Sequence, residues 1–82
     1  MYDIQKLSHT KEKRDFMRIE ILIREIRKKR NISLDKLSQL TGMSKGHLSR
    51  IERKETEPTI TSLARIALAL NVDITELYKI IK

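Results

Sequence analysis

Cysteine is absent from the chain, and 82 residues contain only one proline and two glycines. Without thiols, neither disulfides nor cysteine-based metal sites can support the fold. No apolar run approaches the length of a membrane span, and the charged N-terminal residues lack a signal-peptide core. A soluble, cytoplasmic protein with no membrane partner is therefore expected. Signatures of catalysis are also missing. There is no phosphate-binding glycine loop, no Gly-x-Ser-x-Gly elbow and no His-Glu-x-x-His. His9 and His47 are the only histidines; they fall on different predicted elements and leave no zinc pattern. The carboxylates mostly interleave with basic residues at helical spacing, which reads as surface ion pairing. Neither an enzyme nor a metal or cofactor site is expected.

What the chain does have is positive charge, +7 at neutral pH. So basic a balance in one small domain favours polyanionic partners, nucleic acid first and an anionic membrane surface second.

Apolar residues recur at helical spacing throughout, and the sparse glycine and proline leave little punctuation. The pattern predicts five α-helices, no strand and a low-contact-order core. The first helix is expected over Lys13–Lys29, with Phe16, Ile19, Ile23 and Ile26 as its inward stripe. Ser33 is an N-cap for a second helix ending at Gly42, and Ser44 caps a third over Lys45–Arg53. Thr59 caps a fourth, with Leu63, Ile66, Ala67 and Leu70 on one face. Asp73-x-x-Glu76 resembles a capping box and opens a fifth helix reaching the C-terminus. Residues 1–15 are expected to be an arm or helix extension, and 16–82 the domain proper. Ile23, Ile26, Leu37, Leu48, Ile51, Leu63, Ile66 and Leu70 should share one core.

The stretch from Leu34 to Arg53, LDKLSQLTGMSKGHLSRIER, carries the functional signal. Two short helices joined by a tight turn make a helix-turn-helix. Leu37 and Thr41 face inward from the first, Met43 packs at the turn, and Leu48 and Ile51 anchor the second. Ser38 is small where the helices approach most closely. Gly42 stands where a left-handed backbone ends the first helix, a conformation costly for residues with a Cβ. An ordinary helical hairpin is the competing description.

At these residues the sequence resembles the phage repressor and Cro-like helix-turn-helix family, also called the xenobiotic-response-element family. The resemblance covers Ile19 to Tyr78 and rests on IREIRKKRNISL, LTGMSKGHLSRIER, EPTITSLARIALALNV and DITELY. It implies an all-α, five-helix, lambda-repressor-like domain and a dimeric transcription regulator, a repressor, that reads double-stranded DNA with the helix Lys45–Arg53. Its base-reading positions fall on Lys45, Gly46, Ser49 and Arg50. Independently, an arginine such as Arg50 can pair bidentately with guanine O6 and N7, and Lys45 can reach the same acceptors or a phosphate. Gly46 either lets the backbone approach DNA or is simply tolerated. Backbone phosphates are expected at the helix N-termini, with Ser33, Ser44 and Thr59 adding hydroxyls, Lys36, Arg53 and Lys54 adding charge, and His47 a further donor. The resemblance also implies an orienting ion pair between Arg27 and Glu52.

Leu77, Tyr78, Ile80 and Ile81 are too many apolar side chains for one inward stripe, and Leu68 is poorly placed for the main core. These five are expected at a homodimer interface, so that a two-fold dimer reads an inverted repeat; the other reading is that they cap the internal core. Three positions depart from the family. Leu34 replaces a phosphate-contacting glutamine. Lys54 replaces the glycine that ends the recognition helix, so a different helix ending is expected. The segment before Phe16 is longer than the usual lead. The alternative functions are an antitoxin or regulatory adaptor with a protein partner, and RNA binding through the basic face.

Overall fold

Among the described residues, side-chain oxygens start three of the four α-helices. In the computed structural model, which describes residues 18–82, these helices are α1 (Ile23–Lys29), α2 (Leu34–Thr41), α3 (Lys45–Glu52) and α4 (Ile60–Leu70). Ser33, Ser44 and Thr59 stand before α2, α3 and α4 and accept hydrogen bonds from the amides of Lys36, His47 and Ser62. Each satisfies one amide that the helix itself cannot pair. Gly42, at φ 73°, closes α2 in the left-handed region. The capping box at Asp73 is present: Thr75 N–H donates to the Asp73 carboxylate, and Asp73 N–H donates to that of Glu76.

The predicted core forms. Ile23, Leu37, Leu48, Ile51, Leu63, Ile66 and Leu70 are buried, with Met43, Ala67 and Leu77 beside them and Ile26 packed partly buried against the cluster.

Three expectations fail around this core. Of the stretch expected to form the first helix, only Ile23–Lys29 is helical among the described residues, and Arg18–Ile21 form a strand, β1. The capping box opens only a short 3₁₀ turn, Ile74–Leu77, and Tyr78–Ile81 form a second strand, β2. The strands pair antiparallel in a two-stranded sheet, Arg18 opposite Ile81 and Ile21 opposite Tyr78. Among the described residues the helix-turn-helix architecture stands with four α-helices, and the expected absence of a sheet and the expected helix from Asp73 to the C-terminus are corrected. The cause lies in two overlapping periods. Ile19, Ile23 and Ile26 fit a helical stripe, whereas Ile19 and Ile21 alternate with Arg18 and Glu20 as a strand requires. β-Branched side chains favour the extended solution, and Tyr78-Lys79-Ile80 repeats the alternation. Ile19 therefore leaves the core stripe. Phe16, the lower part of the expected first helix and the arm at 1–15 lie outside the described residues.

Candidate nucleic-acid interface

The turn between α2 and α3 is held by side chains. Thr41 Oγ1 donates to Leu37 C=O at 2.8 Å and accepts from Met43 N–H at 3.2 Å. Ser38 Oγ donates to Met43 C=O at 2.6 Å. These bonds fix the three residues after α2 and so aim the start of α3. Ser38 and Thr41 entered the sequence reading as a small residue and an inward-facing one; their bonds across the turn are a role that spacing does not reveal.

The other end of α3 is fixed by charge. Arg27 Nε donates to Glu52 Oε2 at 2.8 Å and Nη2 to Oε1 at 3.1 Å, a bidentate pair bridging α1 and α3. The same guanidinium donates to Ile32 C=O at 3.0 Å. The two side chains retain only 12% and 7% exposure. A fork-to-fork pair so well shielded holds a geometry that a surface ion pair would not.

Between these anchors α3 buries Leu48 and Ile51 and turns its other side outward. Lys45, Gly46 and Arg50 are exposed, and His47 and Ser49 half-buried. The Arg50 guanidinium lies over Gly46, where an added Cβ would stand 3.7 Å from Nη1, an ordinary contact. Lys45 meets Asp35, in the first turn of α2, at 3.0 Å. Arg53 donates to Ser49 Oγ at 2.9 Å and pairs bidentately with Glu55 at 2.8 and 3.2 Å. Those hydrogen bonds hold the Glu55 carboxyl below its ordinary range and raise the Arg53 guanidinium. Asp35 and Glu55 were not among the expected site residues; an acid near a helix start or end carries no distinctive sequence signal.

The remaining residues expected at phosphates lie at the starts of α2, α3 and α4 and at the end of α3. Lys36, Ser33, Ser44, Arg53, Lys54 and Thr59 are exposed. Each capping hydroxyl accepts one helix amide, so the start of each helix is not wholly uncapped, and Thr59 also donates to Ser62 Oγ at 3.0 Å. Leu34, the departure from glutamine, packs against the core. Lys54 does take the left-handed conformation, at φ 64°. Glu55 N–H reaches Arg50 C=O and Lys54 N–H reaches Ile51 C=O, the paired bonds of a Schellman ending. The expectation of a different ending is corrected: α3 ends as a glycine would end it, with lysine in the glycine's place.

The five apolar residues expected at a dimer interface are not one patch. Leu77 is fully buried in the core. Tyr78, Ile80 and Ile81 lie on β2. Leu68 is 82% exposed and lines a separate groove of about 450 Å³ with Leu40, Thr41, Arg65 and Ala69.

Against known proteins, a family model described as helix-turn-helix matches residues 23–77, from the start of α1 to the end of the 3₁₀ turn. The chain belongs to this helix-turn-helix family. It is 44% identical over 50 residues to the HTH-type transcriptional regulator SutR of Escherichia coli strain K12, a match covering 61% of this chain and 28% of that protein. Control protein C.SmaI of Serratia marcescens is 36% identical over 61 residues, covering 71% of this chain and 73% of its own. The ImmF control region 10 kDa protein of Bacillus phage phi105 is 32% identical over 63 residues, covering 77% and 70%. An HTH_3-family transcriptional regulator from Vibrio cholerae superposes with a TM-score of 0.62 at 45% identity, covering 65% of this chain and 30% of that one. The chain thus spans about a third of the larger regulators and most of the small control proteins. The helix-turn-helix family is one of non-enzymatic, DNA-binding transcription regulators. Among the described residues no helix is long and apolar enough to cross a membrane.

Proposed function

We propose that the chain is a sequence-specific repressor that binds an inverted-repeat operator as a homodimer, inserts α3 into the major groove and works in the cytoplasm. The observation that carries this reading is the exposed side of α3. Lys45, Gly46, Ser49 and Arg50 stand on a helix clamped at its start by the Ser38 and Thr41 bonds and at its end by Arg27 and Glu52. A clamped helix presents donors in a fixed register, as base reading requires. Arg27 and Glu52 orient that helix. Ser33, Lys36, Ser44, His47, Arg53, Lys54 and Thr59 form the phosphate-contacting set, and the acids beside Lys45 and Arg53 give way to DNA on binding.

Two variants separate reading from anchoring. Arg50→Ala should cost about 1–3 kcal/mol on the cognate site and relax preference at one base pair per half-site. Lys36→Ala should instead weaken binding to all sequences alike and make its salt dependence shallower. If Arg50→Ala lowers specific and non-specific affinity equally and leaves base preference intact, Arg50 is not a reader. A second reading, an adaptor or antitoxin gripping a protein, is favoured by the groove beside Leu68, and it is compatible with DNA binding through α3 of the same small domain.

A further inference from the structure

Two arginines of the domain are wired alike. Arg27 sets Nε and Nη2 on the two oxygens of Glu52 and Nη1 on Ile32 C=O. Arg53 sets Nε and Nη2 on the two oxygens of Glu55, at 2.8 and 3.2 Å, and Nη1 on Ser49 Oγ at 2.9 Å. They differ in shelter. The Arg27 pair is sealed between α1 and α3, whereas the Arg53 and Glu55 side chains stay 55% and 52% exposed. A carboxylate and a phosphate offer the edge of a guanidinium the same two oxygens. In the free protein Glu55 therefore occupies the edge of Arg53 that a phosphate would take, and Nη1 is turned to Ser49 beforehand.

The consequence lies in the hydroxyl. A serine hydroxyl has one hydrogen and two lone pairs, and when unconstrained it rotates to donate or to accept. Ser49 stands one turn before Arg53 on α3 and is half-buried. One of its lone pairs is committed to Nη1, and no hydrogen bond runs from its own O–H to another of the described residues. A cation at one lone pair polarises the O–H and makes the oxygen a poorer acceptor for a second donor. In the major groove cytosine shows only the N4 donor, whereas guanine and adenine show N7, guanine adds O6, and thymine shows O4. A hydroxyl held this way suits every base except cytosine.

We infer that Arg53 is a positioning residue for base reading as well as a phosphate contact. Its fork ties one DNA phosphate to Ser49 and fixes the Ser49 hydroxyl as a donor, so that cytosine is excluded at the base Ser49 faces. This rests on the DNA reading by α3 proposed above and adds the sense of one contact. Backbone anchoring and base choice then share a single side chain, with Glu55 keeping the fork in shape until DNA replaces it.

Binding of the full chain to duplexes selected from a random pool, then varied through all four base pairs at each position of a half-site, tests this. The wild type should show one position where cytosine weakens binding about fivefold, the worth of one hydrogen bond. Ser49→Ala should level that position. Arg53→Met should level the same position and no other, while also weakening binding to every duplex and making its salt dependence shallower. Arg53→Lys should restore the salt dependence without the preference, because a flexible ammonium lacks the planar fork. Adding Ser49→Ala to Arg53→Met should flatten nothing further. A preference that survives Arg53→Met, or that lysine restores along with the salt dependence, would overturn the inference and leave Arg53 a plain phosphate contact beside a reading α3. A Ser49→Ala variant that levels no position, while Arg50→Ala does, also removes the inference and spares the reading by α3. If neither Ser49→Ala nor Arg50→Ala alters any base preference, both fall.

Discussion

Lysine at position 54 sits where the backbone prefers glycine. At φ 64° its Cβ crowds the following carbonyl, a cost of roughly 1–2 kcal/mol. The Schellman bonds from Lys54 and Glu55 hold it there because α3 must stop before the loop to α4. Lys54→Gly should therefore raise stability, by about 1 kcal/mol after the added freedom of the unfolded chain is subtracted; urea denaturation at neutral pH measures it. Gly46 poses the opposite question. It is helical and exposed, and an added Cβ finds only the far end of Arg50. Gly46→Ala should then leave the fold as stable or stabilise it by up to about 1 kcal/mol. If DNA affinity nonetheless falls, the backbone at this point approaches the duplex; if it holds, glycine is merely tolerated there.

α3 joins the fold through two very different contacts, an apolar side and an ion pair. Replacing Arg27 alone leaves the Glu52 carboxylate shielded and unpaired, so Arg27→Met should cost about 3–5 kcal/mol. The double variant Arg27→Met with Glu52→Leu should recover most of that loss in denaturant unfolding, because no buried charge remains. Its DNA affinity should stay low if the pair's contribution is orientation, and binding titrations beside the unfolding curves separate the two. The ion pair, the three caps and the buried side of every helix could be anticipated from sequence, because each depends on residues a few positions apart or on a familiar arrangement. What escaped was set by tertiary context. Ile19 satisfied a helical and a strand period at once, and pairing with Tyr78–Ile81 decided between them. The 3₁₀ turn carries the start signal of a helix, but Leu77 is drawn into the core and Tyr78 turns extended, at φ −151°. The carboxylates beside Lys45 and Arg53 were invisible because their partners are chosen by the fold of the turn and the loop.

The molecule as a whole carries +7, and the candidate reading face holds exposed Lys36, Lys45, Arg50, Arg53 and Lys54. Duplex binding should weaken steeply with salt. A two-fold pair of such faces should select DNA fragments with inverted half-sites about 34 Å apart, or one helical turn; sequencing fragments retained by the protein, with sedimentation of the complex, tests spacing and stoichiometry together. The ribbon that flanks the helices also sets an order of events in time. Its strands lie roughly sixty positions apart in the chain, whereas α2, α3 and α4 close over nearer residues, and long-range closure is entropically late. Helices α2 to α4 should assemble first and the strands zip onto them last. Weakening the ribbon should thus leave the rate of collapse almost unchanged and quicken the escape from the native state, making it the latch that governs how long a folded molecule lasts.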